Sequence, residues 1–382
     1  MSRIVVLGGG MVGSTMAIDL LKSHDVTLCD LNNERLNTLK KSHHKLDVIA
    51  LDVRDKAKLK SMISPFDFVI CAVPGFLGYE TLKAIIEAGK DVVDISFFPE
   101  NALELDEMAK TNNVTAIVDC GVAPGMDNII LGHYNELMTL TDFECLVGGL
   151  PQVKTWPFCY KAPFSPVDVI EEYTRPARYV ENGHIVTREA LSDCENIEFD
   201  GVGTLEAFNT DGLRSILFTM SHIPNMKEKT LRYPGHVEYI KVLRETGFFS
   251  EEPVKVNDLS LRPIDVTSTL LFNEWRLKPG EKELTVMRIT LKGKNSKGQI
   301  EEIVYDLYDQ YCEQTSTSSM SRTTGYTATA AANMILEGHF NDKGIFPPEY
   351  IGKHENCFRF ILSYLESRNV IYKRKTRIIS DK

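Results

Sequence analysis

The chain has 382 residues, 43% hydrophobic and 25% charged, enough to build about two or three cores and unlike the composition of a disordered segment. A net charge of -10 excludes nucleic acid or an anionic membrane as the main partner, because both demand clustered positive charge. No apolar run approaches the roughly 20 residues that span a bilayer, and the chain enters a strand at Arg3 with no charged-then-apolar leader, so it is expected in the cytoplasm.

From Arg3 onward the sequence alternates strand and helix patterns. Short β-rich runs over 4–7, 26–30, 48–53, 68–73, 92–95 and 115–118 are separated by helical stretches over 11–22, 33–40, 79–88 and 100–112. Six strands with intervening helices predict an α/β fold, a Rossmann doubly wound parallel sheet, over residues 1–122. The rhythm changes after Cys120–Gly125, and a stretch with Pro and Trp over 151–166 breaks the alternation. Strand-like segments over 142–147, 254–256, 283–292 and 299–311 predict a second, α+β substrate and oligomerisation domain with a mixed sheet over 123–319. A helical pattern over 323–337 is expected to return to the first domain, which residues 320–382 would complete, and the basic run Lys373, Arg374, Lys375 and Arg377 reads as a solvated tail. The eight cysteines contain no C-x-x-C pair, and Cys29, Cys71, Cys120 and Cys145 lie in apolar runs, as reduced core thiols do. Without closely spaced Cys and His, no metal site is expected.

The sharpest local signal is Gly8-Gly9-Gly10-Met11-Val12-Gly13, a G-x-G-x-x-G run directly after a strand and at the mouth of a helix. In that context Gly8 serves the tight turn, Gly10 lets the backbone approach a pyrophosphate, and Gly13 allows close packing of helix on strand. Asp30 ends the second strand where a carboxylate meets the adenosine ribose hydroxyls, which predicts NAD in preference to NADP, with Arg35 near enough to matter. Asp52, beside Val53, is either an adenine-edge contact or a helix cap. Ala72, Val73 and Pro74 after the fourth strand, Ser96 after the fifth, and Gly121, Val122, Ala123 and Pro124 after the sixth complete the rim where the nicotinamide is expected.

This glycine loop, followed in order by Cys120-Gly121-Val122-Ala123-Pro124-Gly125-Met126-Asp127, Gly148-Gly149-Leu150-Pro151, Thr230-Leu231-Arg232-Tyr233-Pro234-Gly235-His236 and Ser321-Arg322-Thr323-Thr324-Gly325-Tyr326, resembles the saccharopine dehydrogenase family over nearly the full length. Within that family Ala123, His236 and Arg322 follow the pattern of the bacterial lysine 6-dehydrogenases, whereas the glutamate-forming saccharopine reductases carry Asp, an apolar aromatic residue and a small residue there. The reductases also carry an arginine near the position of Thr210, which helps hold the glutamyl part of saccharopine; Arg214 is close by in this chain.

The resemblance implies NAD-dependent oxidative deamination of the lysine ε-amino group to allysine, with ammonia released. That chemistry needs positioning and proton acceptance, not a covalent nucleophile. By the same resemblance Arg232, or else Arg322, receives the α-carboxylate, Tyr160 and Lys161 lie on a cofactor-side loop, and Ser96 contacts both ligands. His236, with an ordinary pKa near neutrality, is the candidate to take the amine proton or activate water. Glu206 or Asp211 is the candidate for the α-ammonium. The alternatives are a saccharopine reductase, binding a larger dicarboxylic adduct and using NADP, and a non-catalytic NAD-sensing protein on the same scaffold. The expected partners are a small amino-acid substrate and further copies of the chain, because the second domain is expected to leave strand edges exposed.

Overall fold

A parallel sheet covered on both faces needs strands that are apolar throughout, and the first segments of the chain meet that need: Ile4, Val5, Val6 and Leu7 are all buried, as are Phe68, Val69, Ile70 and Cys71. The computed structural model describes residues 1–162, 166–278 and 280–379. In chain order the strands are β1 (Arg3–Leu7), β2 (Asp25–Asp30), β3 (Asp47–Ala50), β4 (Phe68–Cys71), β5 (Val92–Asp94), β6 (Thr115–Ile117), β7 (Thr139–Pro151), β8 (Ala177–Glu181), β9 (His184–Arg188), β10 (Glu195–Phe199), β11 (Gly203–Asn209), β12 (Asn225–Arg232), β13 (Val254–Val256), β14 (Leu259–Leu261), β15 (Glu283–Lys294), β16 (Ile300–Gln310), β17 (Gly344–Phe346) and β18 (Tyr372–Ile379). They fall into two compact units, Met1–Met138 with Ser321–Tyr372, and Thr139–Met320 with the segment from Lys373.

The first unit carries a sheet of order β17-β6-β5-β4-β1-β2-β3, with its strand pairs parallel. The strand order reverses between β1 and β4, which defines the switch point of a doubly wound sheet. Six strands match the sequence pattern; β17 does not, being three residues long and entered from the far end of the chain. It pairs Gly344 with Thr115, and Lys343 Nζ reaches Asp91 and Thr115 Oγ1 beside it. The expected helix over 100–112 is instead a 3-10 turn, Ala102–Leu105, followed by a helix, Asp106–Thr111, because Asn101 Oδ1 accepts the Leu103 N–H and starts a tighter turn.

The second unit is built on a mixed sheet of order β10-β11-β12-β7-β15-β16-β18, with β8 and β9 off the β12 side. β7 runs parallel to β12 and antiparallel to the long β15, with a bulge at Lys292 and Gly293. The expected strand at 254–256 is not part of this sheet: among the described residues β13 pairs with β14, in an exposed two-stranded hairpin. The basic run at 373–377 is not a loose tail but lies in β18, at the edge of the sheet, where Lys375 meets Asp306 and Arg377 meets Glu302. Under this sheet an aromatic core gathers Tyr160, Tyr173, Phe208 and Trp275 with Val169, Ile170, Val237 and Ile240.

In the first unit the C-terminal segment is tied to the helix Met11–Leu20 through Asp19, which is 3% exposed. Its carboxylate accepts from Arg368 Nε at 2.8 Å, Thr329 Oγ1 at 2.8 Å and the Tyr364 hydroxyl at 2.8 Å. Burial alone would raise its pKa, but Arg368 and Lys22 outweigh that and hold it below the ordinary carboxylate value. Asp19→Ala leaves a partly buried guanidinium and the Tyr364 hydroxyl without the acceptor they share, and urea unfolding should register a loss of about 3–5 kcal/mol.

Candidate active site

In the first unit the glycine loop has the steric form that its spacing predicts. A Cβ on Gly8, whose φ is +105°, would lie 2.3 Å from the Ala72 carbonyl oxygen, and one on Gly13 would lie 1.9 Å from the Gly8 oxygen. A Cβ on Gly10 would meet nothing within 4 Å, and Gly10 stands as the N-cap of the helix Met11–Leu20 with no side-chain cap. Open space over uncapped N–H groups is what a pyrophosphate requires, so the residues present fit a dinucleotide.

Asp30 Oδ2 accepts the Gly9 N–H at 2.6 Å and its Oδ1 accepts the Asn32 N–H at 2.7 Å. The carboxylate thus shapes the loop itself. Asn32 caps the next helix through the Arg35 N–H. Beside the loop a cavity of about 440 Å³ is lined by Gly9, Gly10, Met11, Ser14, Asn32, Glu34 and Arg35, among others. Asp52 neither caps a helix nor faces this cavity: Arg54 chelates it, and that pair holds its carboxyl down at about 2, while Asp55 caps the following helix. Val53 is buried at the same strand end.

At the rim, Ala72 and Val73 pack against Gly8, and Pro74 opens the helix Gly75–Glu87. Gly121, Val122, Ala123 and Pro124 make a turn closed by the Met126 N–H on the Gly121 carbonyl. Ser96 is 2% exposed, and its hydroxyl donates to Asp94 Oδ2 at 3.2 Å while its N–H donates to Oδ1 at 2.7 Å. The hydroxyl also lies 3.7 Å from the buried Cys71 thiol, so it faces into the packing of β4 and β5. Asp94 carried no signal in the sequence, yet burial raises its carboxyl to about 7.

In the second unit the structure gathers Arg232, His236 and Tyr160 and adds Tyr173, Glu172 and Trp275. Arg232, at the end of β12, is 2% exposed, and its guanidinium lies 4.4 Å over the Tyr160 ring. It donates from Nε to the Tyr173 hydroxyl at 3.2 Å, from Nη1 to the Leu231 carbonyl at 3.0 Å, and from Nη2 to Glu172 Oε2 at 2.8 Å. His236 opens the helix His236–Glu245 behind Gly235, which holds a positive φ of 94°. The Phe158 carbonyl, 2.9 Å from Nδ1, fixes the proton there, and Nε2 accepts from the Tyr173 hydroxyl at 2.9 Å. Burial, reinforced by the Arg232 charge, lowers His236 to about 3, which corrects the expectation of a near-neutral pKa. As placed, it receives a tyrosine hydrogen bond and stays neutral.

The remaining candidates make other contacts. Lys161 donates to the Glu274 carbonyl at 2.6 Å, at the end of the helix Pro263–Trp275, where a cation meets the helix dipole. Asp211 is held bidentate by Arg178. Glu206 is half-buried, its pKa raised by burial against the Gly235 N–H, and its Oε2 has no partner among the described residues. Thr210 bonds Thr230 through their hydroxyls. Arg322 belongs to the first unit and donates to the Arg368 carbonyl at 3.0 Å.

A doubly wound parallel sheet with an open glycine loop at its first helix defines a dinucleotide-binding Rossmann unit, here joined in one chain to a mixed-sheet unit. Two family models divide the chain between them, the saccharopine dehydrogenase NADP binding domain over residues 4–117 and the saccharopine dehydrogenase C-terminal domain over 121–371. The chain belongs to the saccharopine dehydrogenase family. Among curated relatives it is similar to the mitochondrial alpha-aminoadipic semialdehyde synthase of Mus musculus, 23% identical over 98% of this chain and 48% of that protein. The chain therefore spans about half the length of the first curated relatives it matches. It is also similar to the saccharopine dehydrogenase [NADP(+), L-glutamate-forming] of Pyricularia oryzae, 22% identical over 90% of this chain and 93% of the other. Apo saccharopine dehydrogenase (L-Glu forming) from Saccharomyces cerevisiae has the same fold, with a TM-score of 0.81 at 20% identity over 99% of this chain and 100% of the other.

The His236 arrangement predicts an acid limb in stability. Its imidazole stays neutral in the fold down to about 3 but protonates at 6.5 when unfolded, so unfolding takes up a proton in that window. Stability is full above pH 6.5 and falls, through this group, by roughly 1.4 kcal/mol per pH unit below it. Urea unfolding at a series of pH values should show His236→Gln shallower than the wild type by that one proton.

Proposed function

We propose that the chain oxidises the C–N bond at the lysyl ε-carbon of saccharopine, the secondary amine that joins lysine and glutamate. Water then hydrolyses the resulting imine to L-glutamate and the lysine-derived semialdehyde. The observation that carries this reading is the open Gly10 cradle in a chain of this family, several of whose relatives are named as glutamate-forming saccharopine dehydrogenases. When bound, a nicotinamide supplies the acceptor for the hydride; the reaction consumes one water and releases one proton. Of the candidate side chains, Arg232 is the partner for a substrate carboxylate, and Glu206, with one oxygen unpartnered among the described residues, suits an ammonium better than the chelated Asp211. His236 acts through Tyr173 and Arg232 as a positioning residue.

A second reading, lysine itself as substrate with ammonia released, is favoured by Thr210. The resemblance implies an arginine for the glutamyl part at that position, and here a hydroxyl pair stands in its place. The two readings share the oxidised carbon and differ only in the leaving amine.

For the cofactor, the description of the matched domain and the Arg35 position on the cavity wall support NADP, because a guanidinium there would pair a 2′-phosphate. Asp30 supports NAD, but both of its oxygens already take backbone N–H groups.

Reduced-nicotinamide absorbance should grow with NADP and saccharopine, with glutamate formed in equal amount. Growth with lysine alone, with ammonia released, would replace this reading by the second, and cofactor binding without turnover on either substrate would overturn both. Arg35→Ala should lower kcat/KM for NADP by about ten- to a hundredfold, the worth of one charge-assisted phosphate contact, and leave that for NAD nearly unchanged.

A further inference from the structure

Arg232 shows how its own site is closed. Its side chain is 2% exposed, whereas that of its carboxylate partner Glu172 is 25% exposed, so of the two it is Glu172 that faces solvent. The other neighbours of the guanidinium are fixed: Tyr160, Tyr173 and Phe208 wall it in, and the Leu231 carbonyl takes one Nη1 hydrogen. Among the described residues that accept from the guanidinium, Glu172 is the charged side chain, on a short, partly solvated arm in the helix Pro166–Thr174. A second donor in the same aromatic box also waits for an acceptor. Trp275 is 0% exposed, packs on Tyr160 and Tyr173, and its Nε1 has no partner among the described residues. A buried indole N–H and a buried guanidinium lying against the same two tyrosines suit a ligand that brings a carboxylate, with two oxygens to share.

We propose that Glu172 is an internal stand-in for the substrate carboxylate: it neutralises Arg232 in the free protein, swings out when a carboxylate ligand arrives, and so sets the affinity and the acidic specificity of the site. The inference rests on Arg232 as the carboxylate partner, but not on which amine the protein oxidises. A buried guanidinium cannot stay unpaired without a cost of several kcal/mol, so one carboxylate must be present at all times, and the substrate has to compete with the protein's own. The exchange swaps one ion pair for another and requires no net change of buried charge.

The test is calorimetric titration of the full chain with glutarate, a dicarboxylate that cannot be oxidised at a C–N bond, using the wild type, Glu172→Gln and Glu172→Asp. The amide keeps the shape and removes the charge, and the aspartate keeps the charge and retracts it by one methylene. Glutarate affinity should rise by about tenfold or more in Glu172→Gln, and by less in Glu172→Asp, because the competing charge is gone or drawn back. In turnover assays the same variants should lower KM for the amine substrate. Unchanged or weaker glutarate binding in both variants overturns the proposal. Loss of folding in both also overturns it, since the pair is then a structural tie. Because glutarate binding is read without turnover, a failure of the saccharopine reading would appear separately, as absent reduced-nicotinamide formation in a protein whose variants still gain glutarate affinity.

Discussion

The first unit depends on one close approach of backbone to backbone. The carbonyls of Gly8 and Ala72 occupy the space where side chains at Gly13 and Gly8 would stand, so β1, β4 and the first helix can meet only if those two positions are glycine. That approach brings the helix N-terminus to the carboxyl edge of the sheet at the switch point, with its N–H groups facing open space over Gly10. Asp30 stabilises the same loop from outside by taking the Gly9 N–H, so a residue that the motif assigns to the cofactor also holds the motif in shape.

A different constraint orders the second unit, the need to satisfy a buried cation. Around Arg232 the hydrogen bonds run in one direction. The guanidinium donates to the Tyr173 hydroxyl, that hydroxyl to His236 Nε2, and His236 Nδ1 to the Phe158 carbonyl. Each donor finds an acceptor only while the imidazole is neutral, which is also the state that burial and the neighbouring charge impose. The network therefore positions rather than transfers protons. The proposed chemistry at a C–N bond with a dinucleotide acceptor needs mainly that: a fixed carboxylate anchor, and water admitted at the right step.

How much of this was legible in the sequence follows from where each signal lies. β1, β2, β4, β5 and β6 were readable because both faces are buried and the runs are mostly apolar. β17 was not, because three residues before Pro347 carry no periodicity and its partner β6 lies more than two hundred residues earlier. β13 has a β-rich composition that suits a hairpin as well as a sheet, and composition does not choose between them. The glycine loop was legible because its steric demands are local. Glu172 and Tyr173 were invisible, since they sit in an ordinary amphipathic helix and gain meaning only when the fold sets them beside a residue some sixty positions on. The near-neutral pKa expected of His236 failed for the same reason, because its burial and its charged neighbour are tertiary facts.

In the proposed reaction hydride leaves the lysyl ε-carbon for the nicotinamide of a dinucleotide whose pyrophosphate lies at the Gly10 cradle. The most direct measurement is turnover of saccharopine deuterated at that methylene, with mass spectrometry of the reduced cofactor and of the semialdehyde. One deuterium should appear in the reduced nicotinamide and one should remain in the semialdehyde. Cofactor reduced without deuterium, or both deuterons retained in the amine product, would contradict it.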